Sequence, residues 1–181
     1  MKNPRILLIG IGGVYNYGCE AIVRGTELML HEQWPDAKIV YASYRPDDDR
    51  ARLKDCNVEI IERKRIGRYS SSNIIRKCLS IMGIAWQPTT DPPSVAGGSD
   101  AVLSIGGDIY TIRPGGNYPA GFMRFGDGCE KKGMPYVLWG ASVGPFSEKL
   151  NVEKAVRKHL KRITLITARE SKTVDYLQSL N

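Results

Sequence analysis

The sequence predicts a doubly wound α/β fold with a mainly parallel sheet. Short apolar runs alternate with helical patterns along the whole chain, as in folds whose parallel strands are joined by helices. A glycine-rich turn, from Gly10 to Gly18, joins the first apolar run to the first helical pattern and so makes the first half of a βαβ unit. The run A-V-L-S-I at 101–105 is the kind of strand that is buried on both faces of a parallel sheet. These observations together predict a Rossmann-like domain, whose ligand would bind beyond the carboxyl ends of the strands.

The predicted strands are short runs of apolar and β-branched residues bounded by glycine, proline or charged residues. The first run, I-L-L-I-G, and the fourth, A-V-L-S-I, carry the clearest pattern, whereas the third, V-E-I-I, is brief. The six predicted strands span 6–10, 38–43, 58–61, 101–105, 136–139 and 163–167.

The predicted helices lie between those strands. The first ends before Pro35, because the residue preceding a proline is pushed out of helical geometry, and Pro46 suits the first turn of the second. A proline-rich loop at 86–96 and a glycine-rich loop at 106–119 are predicted to carry no regular structure. The predicted helices span 19–32, 46–54, 73–84, 122–131, 148–160 and 171–180.

The composition is that of a globular domain without a targeting segment. Apolar residues make up 42% of the 181 residues and charged residues 25%. The first four residues lead directly into a strand too short for a signal peptide, and no apolar run approaches the roughly 20 residues of a membrane span. Four separated cysteines are interpreted as free thiols, and two histidines are too few to indicate a metal site. We therefore expect a cytoplasmic protein that holds no metal.

The net charge of +7 leaves several partners open. It suits an anionic ligand, a membrane surface or nucleic acid, and it also suits simple solubility. The basic segment at 63–68 is interpreted as a solvated face, with a peripheral contact to anionic lipid at the inner face of the membrane as the functional alternative. No sequence signature of a nucleic-acid-binding fold accompanies the charge, so we expect no nucleic-acid partner.

Small residues follow three of the predicted strands. The sequences are G-I-G-G after the first strand, G-G-D after the fourth and G-A-S-V-G-P after the fifth. One turn of small residues needs no functional explanation, because small residues are common in turns. Three such turns at successive carboxyl ends of strands predict an open surface on which a ligand binds. The sixth strand is followed by Arg169 and Glu170, which places a guanidinium and a carboxylate on the same rim.

A dinucleotide site is the first alternative, and the residues argue against it. Tyr15 stands where the third glycine of the fingerprint is required, and the second strand is followed by S-Y-R rather than by an acidic residue. No Walker A sequence is present. Asn16 is suited to capping the first helix, and Glu20 in its first turn is favourable to the helix dipole.

Four motifs, each at the end of a strand and in the right order, resemble the polysaccharide pyruvyl transferase family. They are N-Y-G-C-E-A-I, S-I-G-G-D, W-G-A-S-V-G-P-F and T-A-R-E-S-K-T-V-D-Y-L. The resemblance implies a two-domain, glycosyltransferase-B-like protein that transfers pyruvate from phosphoenolpyruvate to a hexose as a ketal. The donor is a substrate, and no cofactor is implied. The acceptor would be a hexose of a polysaccharide or of a lipid-linked precursor.

The resemblance covers only the N-terminal half of that architecture. We therefore expect residues 1–181 to form a single N-terminal Rossmann-like domain, with a C-terminal domain outside this chain as its partner. Most of the groups that hold the donor carboxylate and phosphate would lie in that C-terminal domain. Cys19 stands where many family members have an aspartate, so no acid is assigned there.

The site residues follow from matching the motifs position by position. Asp108 and Glu20 are the candidate catalytic bases, and Arg169 is the candidate partner of the donor anion. The loop at 110–118 carries aromatic and hydrogen-bonding groups suited to a sugar. A carbohydrate-binding domain without catalysis and a nucleotide-sugar glycosyltransferase of the same fold stay open as alternatives. The candidate substrate-binding residues are Asn16, Gly18, Gly106, Gly107, Ser142, Gly144, Glu170 and Ser171.

Overall fold

The structure, a computed structural model, contains one six-stranded parallel sheet. It describes residues 3–63, 71–82, 95–112, 118–148 and 150–180. The strands are β1 (Arg5–Ile9), β2 (Lys38–Ser43), β3 (Glu59–Glu62), β4 (Ala101–Ile105), β5 (Tyr136–Ala141) and β6 (Leu165–Ala168). Their order across the sheet is β3-β2-β1-β4-β5-β6, and all five pairings are parallel. The predicted doubly wound, Rossmann-like α/β fold is confirmed.

The helices begin where local chemistry favours them. Asn16 caps the first helix by accepting a hydrogen bond from the backbone N–H of Cys19 at 2.8 Å, and Pro46 occupies the first turn of the second. The first helix ends at Gln33, just before Trp34 and Pro35, as expected. The helices are α1 (Tyr17–Gln33), α2 (Pro46–Arg52), α3 (Ser71–Ile81), α4 (Ala120–Glu130), α5 (Leu150–Leu160) and α6 (Ser171–Ser179).

The core lies on both faces of the sheet because β1 sends successive side chains to opposite sides. Leu7 and Ile9 pack on the side covered by α4 and α5, and Ile6 and Leu8 pack on the side of α1 and α2. Helices on both faces follow from right-handed crossovers that run outward in both directions from the β1–β4 pair. This pair is therefore the point at which the direction of winding reverses.

The structure corrects the ends of several predicted elements. The fifth strand runs to Ala141, because Gly140 lies within a bulge and its N–H donates to the Thr167 hydroxyl at 2.7 Å. The first helix begins at Tyr17, two residues before the predicted start, because the cap is Asn16. The second and fourth strands match their predicted bounds. One end also matches in the fifth strand and in the second, fifth and sixth helices, at Tyr136, Pro46, Leu160 and Ser171, and the other ends differ by one to three residues.

Parts of several predictions lie outside the described residues. These are most of the basic segment, most of the proline-rich loop, the end of the predicted third helix, one residue of the predicted fifth helix, and the middle of the glycine-rich loop together with most of the segment at 110–118 predicted to suit a sugar: 64–68, 86–94, 83–84, 149 and 113–117. Among the helices that the structure describes, none is both long and apolar enough to cross a bilayer.

Candidate functional site

The turns after β1 and β4 pass each other in backbone contact at the carboxyl edge of the sheet. Gly10 adopts a φ of +111°, and a Cβ atom there would lie 2.2 Å from the carbonyl oxygen of Ile105. Gly106 adopts a φ of +118° and lies against the side chain of Ile11. Only glycine satisfies both the backbone conformation and the contact at Gly10. The crevice at this reversal point is where doubly wound folds bind their ligands.

Four polar residues meet on the β4–β5–β6 side of this edge, and we call them the rim cluster: Asp108, Ser142, Arg169 and Glu170. Arg169 donates from Nη2 to Asp108 Oδ1 at 3.2 Å and from Nε to Glu170 Oε2 at 3.2 Å. Ser142 donates its hydroxyl to the same Glu170 oxygen at 3.0 Å. Residues predicted from three separate motifs are thus brought into one hydrogen-bonded group.

Backbone contacts hold the rim cluster in place. The Ser142 N–H donates to the Gly107 carbonyl at 2.7 Å, and the Arg169 N–H donates to the Ala141 carbonyl at 3.1 Å. The Thr173 hydroxyl donates to Glu170 Oε1 at 2.5 Å and accepts from the backbone of the β5 turn. Hydrogen bonds to the ionised carboxylate, from Thr173 first and then from Ser142 and Arg169, lower the pKa of Glu170.

Two of the predicted substrate-binding glycines make room for side chains. A Cβ atom on Gly107 would lie 1.7 Å from Arg169 Nη1. One on Gly144, whose φ is +78°, would lie 2.3 Å from the ring of Tyr176. Both glycines therefore have a packing role in the structure, and contact with a substrate stays a prediction. Ser171, the first residue of α6, is exposed beside the rim cluster.

The motif at the start of α1 forms a second group, separate in its contacts from the first. Glu20 accepts from Arg24 Nε at 2.9 Å and from Arg52 Nη1 at 3.4 Å, and its side chain is only 19% exposed. Asn16 is occupied as the helix cap, and a Cβ atom on Gly18 would touch its side-chain oxygen at 3.4 Å. Glu20 is thus directed at its own helix and at α2, whereas Asp108 pairs across the sheet with Arg169.

A buried carboxylate that the sequence did not single out builds the turn after β1. Asp49 of α2 is 1% exposed, accepts from the backbone N–H of Val14 at 2.9 Å and accepts from the Ser43 hydroxyl at 2.5 Å. Tyr41 donates to the Ile11 carbonyl in the same turn, and burial together with Asp49 raises the pKa of its phenol. The signal in the sequence was weak, because Asp49 is the third of three consecutive aspartates in a charged helix.

A buried histidine anchors the turn that carries Asp108. His159 of α5 is 1% exposed, with Nδ1 at 2.6 Å from Asp127 and Nε2 at 2.9 Å from the Tyr110 hydroxyl. Since a carboxylate only accepts, Nδ1 carries the proton and Nε2 accepts from Tyr110. The Tyr110 backbone in turn bridges to Val143, which ties the turns after β4 and β5 together. Burial is the main cause that lowers the pKa of His159.

A parallel sheet with this strand order and helices on both faces defines a Rossmann-like domain, and the rim cluster lies at the edge where such folds bind their ligands. The family model for polysaccharide pyruvyl transferase matches residues 16–181, which include all four strand-end motifs. The chain belongs to that family. No curated protein matches the sequence.

Proposed function

We propose that this domain takes part in transferring pyruvate from phosphoenolpyruvate to a hexose of a polysaccharide or of its precursor, with formation of a ketal. The observation that carries the proposal is the rim cluster, in which Arg169 and Glu170 from one family motif meet Asp108 from another beyond the carboxyl ends of the strands. Membership of the family supports the reaction class. Such a reaction needs groups that move protons and groups that hold anions, and the rim cluster contains both kinds.

The chemistry sets the roles that must be filled. Two hydroxyls of the hexose add to C2 of the donor, and the C2–O bond to phosphate breaks. One hydroxyl proton ends on C3, which becomes a methyl group, and the other leaves with the phosphate. A general base must accept a proton from the attacking hydroxyl, and a general acid must deliver one to C3.

Asp108 is the better placed of the two candidate bases. Its side chain is 76% exposed, and within the described part of the chain its one ion pair is with the half-exposed Arg169 at 3.2 Å. Glu20, in contrast, is mostly buried with an arginine on each oxygen. We therefore assign the base to Asp108 and a supporting role at the start of α1 to Glu20.

Arg169 is the candidate for stabilising the charge that develops on the donor. In the structure it is shared between Asp108 and Glu170, so an incoming anion would have to compete with both carboxylates. Uptake of a proton by Asp108 during catalysis would release one side of the guanidinium to the leaving phosphate. Further groups for the donor are expected in the C-terminal domain that the family architecture implies.

The test is a turnover assay on the full-length protein with phosphoenolpyruvate and a panel of hexose glycosides. We expect phosphate release that depends on the sugar and a product heavier by a pyruvate ketal. Asp108→Asn should lower kcat by about a hundredfold or more, which is the usual effect of removing a general base. Asp36→Asn is the matched control, because Asp36 is an exposed acid in the α1–β2 turn at the opposite edge of the sheet. Equal rates for both variants would overturn the assignment of Asp108.

A carbohydrate-binding domain without catalysis is the second candidate. Arg169 of the rim cluster is paired with Asp108, and Arg52 of α2 is paired with Glu20 at the start of α1. Arginines that are already paired with carboxylates suit a neutral sugar ring better than a phosphate, and this favours the second candidate. Glycan binding without turnover across the whole panel would decide for this alternative.

A further inference from the structure

A cavity of about 400 Å³ opens beside the turn after β1, and none of its lining residues belongs to the rim cluster. This volume lies within the range of about 300–1,000 Å³ that is typical of small-molecule sites. The cavity is formed where the β1 turn meets α2. Its lining residues are Tyr15, Arg45, Asp48, Asp49, Ala51 and Arg52.

Hydrogen bonds to Asp49 hold the floor of the cavity. Asp49 lies beneath it with its oxygens occupied by Val14 N–H and the Ser43 hydroxyl, so it supports the site without facing a ligand. Gly13 is buried directly above this carboxylate. A Cβ atom on Gly13 would lie at ordinary contact distances, 3.6 Å from the Tyr15 ring and 3.7 Å from both Arg45 Cδ and Asp49 Oδ1. The absence of a side chain at Gly13 therefore leaves space between three of the lining residues.

The charges of the cavity are balanced in pairs. Arg45 binds Asp48 at 2.9 Å, and Arg52 binds Glu20 at 3.4 Å. The described residues that line the cavity carry two guanidiniums, of Arg45 and Arg52, and two carboxylates, of Asp48 and Asp49. A multiply charged anion would have to break these pairs and approach a site without net positive charge. Phosphoenolpyruvate is therefore a poor occupant.

The same pairs offer a close array of hydrogen-bond donors and acceptors beside an aromatic face. Tyr15 is 62% exposed, so its ring is accessible to a ligand. Its ring provides an apolar face, and the Arg45–Asp48 and Arg52–Glu20 pairs provide charged partners for hydroxyl groups. A ligand ring with one apolar face and several hydroxyl groups would match both the Tyr15 ring and the ion pairs.

We infer that this cavity binds a neutral hexose ring, stacked on Tyr15 and hydrogen-bonded by the two ion pairs. Only the identification of that hexose as the acceptor rests on the proposed function. The hexose ring would then lie on the β1–α2 side and the donor at the rim cluster, with the attacking hydroxyls of the hexose directed past the turn after β1 towards Asp108. Glu20 lies on the hexose side through its contact with Arg52.

The test compares two neighbouring exposed tyrosines in the full-length protein. Tyr15→Ala removes the ring that lines the cavity, and Tyr17→Ala removes a ring that is 88% exposed and is not among the lining residues. Binding of methyl glycosides of glucose, galactose, mannose and their 2-acetamido forms is measured by calorimetry, with phosphoenolpyruvate measured separately. We expect Tyr15→Ala to raise the Kd of the bound glycoside roughly tenfold and Tyr17→Ala to leave it within about twofold. The Kd of phosphoenolpyruvate should be the same in all three proteins.

A second variant fills the cavity. Gly13→Leu places a side chain among Tyr15, Arg45 and Asp49, and it should abolish glycoside binding while thermal unfolding shows a folded protein. If it does not fold, Tyr15→Ala alone decides, since that ring is exposed and its removal leaves the core intact. Failure of every glycoside in the panel to bind the wild type, or unchanged glycoside binding by Tyr15→Ala, overturns the inference.

The outcomes separate this inference from the proposed function. Glycoside binding that depends on Tyr15, without any turnover of phosphoenolpyruvate, supports the cavity and overturns the proposed function. Turnover whose acceptor KM is unchanged in Tyr15→Ala supports the proposed function and overturns the cavity.

Discussion

Two glycines at the carboxyl edge differ in what a methyl group would meet. At Gly10 it would collide with the Ile105 carbonyl, which is fixed backbone, and the φ of +111° is unfavourable for alanine. At Gly107 it would meet the end of the Arg169 side chain, which is flexible and half exposed. We expect Gly10→Ala to lower the free energy of unfolding by about 3 kcal/mol or more and Gly107→Ala to lower it by less than about 1 kcal/mol. Urea denaturation measures both, and equal losses would contradict the assigned contacts.

The buried histidine predicts a pH dependence of stability. Burial holds the pKa of folded His159 below its ordinary value of 6.5, so the folded protein keeps the ring neutral. The contribution of the neutral, buried His159 ring to the free energy of unfolding is fully present above pH 6.5. It falls as the pH drops from 6.5 towards the lower folded pKa, because the unfolded chain then takes up a proton that the folded chain does not.

His159→Gln tests this directly. At pH 7.5 the variant should be less stable by about 1–3 kcal/mol, since Tyr110 and Asp127 lose a buried partner. Between pH 7.5 and pH 5 the difference between wild type and variant should shrink, as measured by urea denaturation at each pH. A constant difference across that range would show that His159 does not titrate in this way.

Single residues show where reasoning from sequence succeeds and where it stops. Asp108, Ser142, Arg169 and Glu170 were predicted as one rim because each follows a strand, and the carboxyl ends of parallel strands share an edge. Asp49 was missed. Asp49 is buried because its side of a short charged helix meets the β1 turn. The sequence of three adjacent aspartates does not indicate which of them faces that turn.

At the scale of elements, α2 holds the turn after β1 in place through one side chain. Asp49→Ala would leave the Val14 N–H and the Ser43 hydroxyl buried without their partner. We expect it to lower the free energy of unfolding by about 2–3 kcal/mol, the usual cost of stranding buried polar groups. Asp48→Ala on the same helix is the control, because Asp48 is 61% exposed and makes a surface ion pair worth about 0–1 kcal/mol. Thermal or urea unfolding should separate the two variants, and similar losses would show that the buried carboxylate does not hold the turn.

The ends of elements were predicted less well than the elements themselves. Ala101–Ile105 was placed correctly because its apolar run is bounded by Asp100 and Gly106. The fifth strand was ended too early because Gly140 resembles a turn residue, whereas the structure places it in a bulge whose N–H reaches Thr167 on β6. Such a contact joins residues far apart in the chain, so a local pattern does not contain it.

At the scale of the molecule, alternation of strands and helices was enough to predict the fold class. It did not give the strand order, which depends on the direction in which each crossover leaves its strand. That order makes β1 and β4 the centre of the sheet and leaves β3 and β6 at its edges. Asp108 follows the central β4 and Arg169 follows the edge strand β6, so their ion pair spans β5 and joins a central part of the sheet to a peripheral one.

This arrangement predicts the order in which backbone amides exchange with solvent. β1 and β4 are buried and paired on both sides, whereas β6 is paired on one side and Leu165 is half exposed. We expect the amides of β1 and β4 to exchange last and those of β6 well before them, because local opening at an edge exposes little apolar surface. Loss of the ion pair in Asp108→Asn should speed exchange at Arg169 and at the start of α6 while leaving β1 unchanged, and the exposed Asp36→Asn should change neither. Hydrogen exchange followed by mass spectrometry measures all three proteins. Exchange at β6 as slow as at β1 would contradict the predicted order of exchange. An effect of Asp108→Asn spread evenly over the sheet would show that the ion pair acts on global unfolding and not on local opening at β6.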